Sequence, residues 1–302
     1  MCLLPPKSVG SMRIWRNGAI CIGPHFGNAV VSMVLIVIGS SSFIFVNFSQ
    51  ELRVLCGVFG VLSMFLIIRC ATRDPGISAR LPRAGLEQNA SPKGSVGEQV
   101  ECVNIVRRGR EEVRELQRKW CYACNFYRPL RAVHCLQCDV CIQRRDHHCP
   151  WVGTCVGQRN YLLYFLFLWS VVVLSLIVLI GGVWGLVLRV EQLCGVGSCN
   201  IKDELIVAFR ETYFVEPAVV LLSLLVLLPV VPLVLFHTHL ALRNMTSGEY
   251  QRSSVEKAHY FDRGGLCANL SAALCAPIKP SIFSKEVDVV YSQVAVIDVE
   301  EV

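Results

Sequence analysis

Seven cysteines and three histidines fall within the 35 positions from Cys121 to Cys155. They read Cys121-x-x-Cys124, then His134-Cys135-x-x-Cys138-x-x-Cys141, then Asp146-His147-His148-Cys149-Pro150-Trp151, and finally Cys155. Thiolate and imidazole at this density are zinc ligands by type, and a structural zinc closes its shell with four of them. Ten candidates exceed by two the eight that a pair of closed sites consumes. A spare cysteine and a spare histidine beside Asp146 have a chemical use: the thiolate attacks, the imidazole takes its proton, and the carboxylate orients the imidazole. The count supports such a site without saying which cysteine and which histidine are spare. Spacing alone also leaves a competing reading, a structural zinc module that serves as an interaction surface. Position favours chemistry, because Cys149 lies twelve residues before Tyr161, where a long apolar run begins. A thiol at that level meets reagents with a polar head in water and an acyl tail in lipid.

The elements that must hold this segment are apolar. Of the 302 residues 53% are hydrophobic and 17% charged, against roughly 25% charged in soluble chains. Four runs approach the length of about 20 residues that a bilayer span requires: Ala29–Phe48, Leu52–Arg69, Tyr161–Leu188 and Ala218–Leu242. Only Ser49–Glu51 separates the first two, which predicts a helical hairpin, and Pro229 and Pro232 predict a kink in the fourth. Fifteen lysines and arginines lie between Ala71 and Asn160, and three between Arg189 and Thr212. By the positive-inside rule the central segment and both termini are cytosolic and Arg189–Thr212 is lumenal or extracellular. Cys194 and Cys199 would there form a disulfide or stand as free thiols. No cleavable signal peptide is read at the start, so the first span would act as the targeting signal. The Asn47-Phe48-Ser49 glycosylation pattern sits too near the membrane to carry weight. The stretch Arg80–Val100 reads as a flexible linker, Arg107–Trp120 as a short surface helix, and the tail from Val287 as strand or disorder. The net charge of +6 reflects basic loops, and no nucleic-acid module accompanies it.

Asp146-His147-His148-Cys149, with the ligand pattern before it and Pro150-Trp151 after it, resembles the signature of the DHHC family of protein S-acyltransferases. The likeness takes in most of the chain outside its tails. It implies an α-helical membrane protein with four transmembrane helices and a cytosolic two-zinc cysteine-rich domain between helices 2 and 3. The implied organisation is an N-terminal tail (1–28), helices 1 and 2 (29–70), a linker (71–118), the zinc domain (119–160), helices 3 and 4 with a lumenal loop at 189–212 (161–242), and a C-terminal tail (243–302). The resemblance assigns one zinc to Cys121, Cys124, His134 and Cys141 and the other to Cys135, Cys138, His148 and Cys155. That leaves Cys149 as acyl-accepting nucleophile, His147 as base and Asp146 as its partner. Asp74-Pro75-Gly76 matches the family's DPG motif. Thr246-Ser247-Gly248-Glu249 stands where a Thr-Thr-x-Glu motif is expected, Ser247 keeping a hydroxyl able to contact Asp146, and Asn269 matches a structural asparagine.

The implied reaction takes a long-chain, palmitoyl-type acyl group from acyl-CoA onto Cys149 and passes it to cysteines of membrane-associated client proteins. Trp151 would cover the reacting carbonyl. Tyr164, Phe167 and Leu174 share one helical face, which the resemblance makes groove-lining and ordinary helix packing explains equally. Arg128, Arg131, Arg144, Arg145 and Arg159 are read as attracting CoA phosphates and anchoring lipid headgroups, and His237 and His239 as interfacial anchors. Cys2, Cys21, Cys70, Cys267 and Cys275 are read as unreactive thiols, with acylation of their own as the alternative. The setting is an endomembrane or the plasma membrane. The alternative function is a catalytically inactive zinc-containing membrane adaptor. A transporter is disfavoured because the spans carry almost no ionisable residues.

Overall fold

The computed structural model describes residues 8–16, 18–42, 49–78, 100–107, 110–194, 206–207, 215–256, 261–275 and 281–283. Cys2, Asn47, Cys199 and the segments 80–99 and 287–302 lie outside them. The chain divides into two compact units, one of Met1–Ala29, Arg69–Leu162 and Thr238–Val302, the other of Val30–Ile68 and Leu163–His237.

The second unit is helical. It holds the bodies of α1 (Phe26–Ser41), α2 (Gln50–Thr72), α3 (Tyr161–Cys194) and α4 (Val215–Leu242). Among the described residues three helices, α2, α3 and α4, are long and apolar enough to cross a membrane, whereas α1 is apolar but has 16 residues. Pro229 and Pro232 lie inside α4, which continues through both. Large apolar side chains point outward, Val61 being 72% and Leu228 71% exposed. Water would penalise such a surface, whereas hydrocarbon accepts it. The inward faces are stitched by small polar groups. The Ser63 hydroxyl donates to that of Ser170 at 2.9 Å, and the Cys56 thiol to the Ser40 carbonyl at 3.4 Å. Tyr164, Phe167 and Leu174 are all buried on α3. His237, read as an interfacial anchor, is instead buried, its ring meeting Tyr164 edge-on at 5.1 Å.

The first unit contains short strands. β1 (Ser8–Val9), β2 (Met12–Trp15) and β3 (Ile20–Ile22) make one antiparallel sheet from what the sequence places in the N-terminal tail. β4 (Val100–Arg107) and β5 (Arg110–Gln117) form a hairpin with Val100 opposite Gln117 and Arg107 opposite Arg110. This corrects the helix expected over Arg107–Trp120: the β-branched run of β4 supplies a partner strand, and pairing outweighs the helical preference of the Glu/Arg-rich stretch. The cysteine-rich segment folds as three small hairpins, β6 (Trp120–Cys121) with β7 (Phe126–Tyr127), β8 (Val133–Cys135) with β9 (Val140–Ile142), and β10 (His147–Cys149) with β11 (Thr154–Val156). Two helices, α5 (Ser247–Glu256) and α6 (Leu266–Leu274), complete the unit.

The hairpin turns need unusual backbone. Asn125 and Asp139, each following the second cysteine of a Cys-x-x-Cys pair, have φ of 58° and 50°. Asn and Asp tolerate this left-handed conformation better than other side-chain-bearing residues. Asp74 organises a strap onto the same segment, its Oδ1 accepting from the Gly76 and Ile77 amides at 2.8 Å each. Ile77 then bridges to Ile142, and the Ser78 amide donates to the Cys141 carbonyl at 2.8 Å.

Candidate active site and metal centres

Strand alternation sorts adjacent ligands to different sides. In the β8–β9 hairpin His134 lies opposite Cys141, while its neighbour Cys135 lies opposite Val140 and turns the other way. In the β10–β11 hairpin His148 lies opposite Cys155 on one face, leaving His147 and Cys149 to the other. Two groups result, Cys121, Cys124, His134 and Cys141, and Cys135, Cys138, His148 and Cys155, each with its ligand atoms within 4.8 Å of one another. A tetrahedron built on zinc–sulfur and zinc–nitrogen bonds has edges of roughly 3.5–3.8 Å. His148 Nδ1 lies 3.3, 3.6 and 3.7 Å from the sulfurs of Cys138, Cys135 and Cys155. His134 Nδ1 lies 3.4 Å from Cys124 and 3.9 Å from Cys141. All six cysteines are buried, so both groups fit a closed zinc shell and could hold a metal ion.

His147 Nδ1 meets Asp146 Oδ2 at 2.7 Å. Burial opposes charge on the ring, but hydrogen bonds and charge from Asp146 and Cys149 outweigh it and push its pKa up to about 9. The Asp146 carboxylate beside it therefore favours a proton on this ring. Asp146 is buried, and its other oxygen accepts from the Ser247 amide at 2.7 Å.

That amide comes from a capping box. Thr246 Oγ1 accepts from the Glu249 amide at 3.3 Å, and Glu249 Oε2 accepts from the Thr246 amide at 2.9 Å. The first turn of α5 is so fixed, and its next free donor, Ser247 N–H, faces the carboxylate. Sequence reasoning expected the Ser247 hydroxyl to reach Asp146. It does so at the Asp146 backbone carbonyl, 3.0 Å away, while the carboxylate is held by the backbone amide. A sharp expectation follows. Ser247→Ala keeps the amide and should retain the acyl transfer that the DHHC resemblance implies within about tenfold, since a net hydrogen bond contributes about 0.5–1.5 kcal/mol. Ser247→Pro removes the amide at a first helical position that tolerates proline, and should lower initial transfer rates at least tenfold further at unchanged zinc content.

Two of the five arginines read as phosphate attractors are committed to structure. Arg131 forks onto Glu249 at 2.7 and 2.8 Å, holding that carboxyl below its ordinary pKa against the opposing effect of burial. It also donates to the Asn244 carbonyl at 2.9 Å. Arg144 donates to the Ala272 and Ala273 carbonyls at 2.9 and 3.1 Å, capping the C-terminal end of α6, and to Asn244 Oδ1 at 2.9 Å. Asn269 is buried, its amide donating to Asp262 and its oxygen accepting from the Arg263 amide. Trp151 is 60% exposed in the turn after Cys149. Tyr164, Phe167 and Leu174 belong to the helical unit described above. Of the extra thiols, Cys21 and Cys70 are buried and Cys267 and Cys275 exposed.

Three residues escaped sequence reasoning. Asn160 is fully buried, donates to the carbonyls of Cys70 and Cys155 at 3.3 and 3.0 Å, and accepts from the Gly157 amide at 2.9 Å. Its place just before an apolar run was the available signal. Asn244 joins both arginines to the Phe261 carbonyl, and His25 meets His148; neither has a local sequence signature.

With this geometry in place, residues 114–254 match the family profile of the DHHC palmitoyltransferases. The chain therefore carries a DHHC palmitoyltransferase domain. It is 29% identical over 304 residues to palmitoyltransferase ZDHHC14 of Homo sapiens, covering 91% of this chain and 58% of that one. To ZDHHC14 of Danio rerio it is 30% identical, with 91% and 59% covered. To palmitoyltransferase ZDHHC9 of Pongo abelii it is 30% identical over 251 residues, with 78% and 64% covered. The chain thus spans about three fifths of the length of these DHHC relatives.

Proposed function

We propose that this chain is a protein S-acyltransferase that moves a long-chain, palmitoyl-type group from acyl-CoA to cysteines of membrane-associated proteins through an acyl-Cys149 thioester. The observation that carries the reading is the Asp146–His147 contact of 2.7 Å on the hairpin face turned away from the ligand His148, the face that Cys149 shares. Cys149 Sγ attacks the thioester carbonyl and forms a new sulfur–carbon bond. The carbon–sulfur bond to CoA breaks, and the departing thiolate takes the proton held on His147. In the second half the imidazole accepts the proton of a client thiol, that sulfur attacks the acyl carbonyl, and Cys149 is released. Asp146 keeps the ring oriented throughout, Ser247 holds Asp146, and Asn269 supports the C-terminal segment. Zinc on each four-ligand set would cross-link the hairpins and take no part in the transfer.

The reading further takes the chain to have four transmembrane helices, with Ala29–Phe48 as the first span and with the zinc domain and both termini cytosolic. The segments 1–28, 29–70, 71–118, 119–160, 161–242 and 243–302 keep the roles given above, and the membrane is an endomembrane or the plasma membrane. Trp151 covers the carbonyl, and the face of Tyr164, Phe167 and Leu174 lines the acyl groove.

The test is transfer from labelled palmitoyl-CoA to a membrane-anchored protein with one cytosolic cysteine, using purified enzyme in lipid nanodiscs. Hydroxylamine-sensitive label on that cysteine is expected. Label that never leaves CoA, with binding partners retained, would favour the adaptor instead.

A further inference from the structure

His148 is occupied at both ring nitrogens. Its Nδ1 faces the sulfurs of Cys135, Cys138 and Cys155, and its Nε2 lies 3.0 Å from His25 Nδ1. The two rings meet edge-on, 5.1 Å apart at 86°. A metal bound through Nδ1 uses that nitrogen's lone pair, so the neutral ring carries its proton on Nε2 and donates it to His25. Outer hydrogen bonds of this kind fix the tautomer and ring direction of a metal ligand.

His25 does not stand alone. The segment before it is strapped along the same cluster. The Ser11 amide donates to the Cys138 carbonyl at 2.9 Å, and the His25 amide to the Gly153 carbonyl at 3.2 Å. Gly10, at φ 56°, lies so close to Cys138 and Asp139 that a Cβ would strike their carbonyls, and Gly23 abuts Gly153 and Thr154 in the same way. Met12, Ile14 and Cys21 form one buried core with Cys135, Cys138 and Cys155. The segment therefore touches the second ligand set at the turn that carries Cys138, at its histidine, and at the turn that follows Cys149.

We infer that residues 8–16 and 18–25 are a built-in clamp for the second metal centre, in which His25 is a positioning residue that orients His148 for ligation through Nδ1. The inference rests on the reading of Cys135, Cys138, His148 and Cys155 as zinc ligands. His148 sits between His147 and Cys149 on one three-residue strand, so its ring direction also sets the strand that carries them.

Zinc release from the full-length purified protein tests this. A chromogenic chelator is added to wild type, His25→Leu (similar bulk, no acceptor) and His25→Gln (acceptor kept). The wild type should hold two zinc ions per chain. In His25→Leu one of the two should be lost about 10- to 100-fold more readily, the scale of such outer contacts, with the other unchanged and His25→Gln close to wild type. Release from His25→Leu at the wild-type rate, or equal loss from both variants, overturns the inference while leaving the ligand assignment intact. A wild type without zinc overturns both. Nitrogen NMR of the histidine-labelled wild type gives an independent reading: His148 should carry its proton on Nε2, and a proton on Nδ1 would contradict the clamp.

Discussion

Cys149→Ser protein incubated with long-chain acyl-CoA should gain no hydroxylamine-sensitive acyl group, whereas wild type should gain one, and transfer to clients should fall to background. The reason is specific to this position. Cys149 is the cysteine of the segment that belongs to neither four-ligand set, so its loss removes the proposed acyl carrier and spares the proposed zinc cross-links. Zinc content and thermal unfolding should therefore match wild type. A serine hydroxyl is a far poorer nucleophile than a thiolate near neutral pH, and any ester it formed would resist neutral hydroxylamine. Cys138→Ser offers the contrast. It should lose zinc and fold together, because Cys138 Sγ contacts both His148 and Cys155 at 3.3 and 3.7 Å and structural zinc contributes directly to folding.

Asp146→Asn should lower transfer by on the order of 10³- to 10⁴-fold, the range seen when a triad carboxylate is made an amide and the histidine adopts the wrong tautomer. Asp146 accepts on both oxygens, from His147 Nδ1 and from the Ser247 amide. An asparagine has one oxygen. If that oxygen keeps Ser247, its NH₂ faces His147 Nδ1, which must then accept, and the proton moves to the ring nitrogen that should deprotonate the thiol. If the amide turns over, the Ser247 amide loses its partner. Initial rates of acyl-enzyme formation would measure the loss, with zinc content as the control for folding. A variant within tenfold of wild type would show that the carboxylate does not orient the base.

Much of this site was legible because its chemistry is local. Ten candidate ligands within 35 positions suggest two four-ligand sets and a remainder. Which residues remain is decided by alternation along β8 and β10, and a count of ligands does not contain strand pairing. The long apolar runs of α2, α3 and α4 were equally plain. What escaped depends on contacts distant in sequence. His25 reaches His148 across 123 residues, and Arg131 reaches Glu249 across 118. The β4–β5 hairpin was misread because a strand's stability lies in its partner, and β5 alone, rich in Glu and Arg, satisfies helical preferences. The Ser247 hydroxyl reaches Asp146 as expected, at its backbone carbonyl, whereas the carboxylate is held by a helix N-terminal amide, which side-chain chemistry does not reveal.

The decisive measurement is peptide mapping by mass spectrometry of zinc-loaded wild type after brief exposure to palmitoyl-CoA, with and without hydroxylamine. One acyl adduct on Cys149, removed by hydroxylamine, alongside two retained zinc ions is expected. A Cys149 that stays protected from alkylation by bound metal and never takes up lipid, or an acyl group residing stably on another cysteine, would contradict the mechanism.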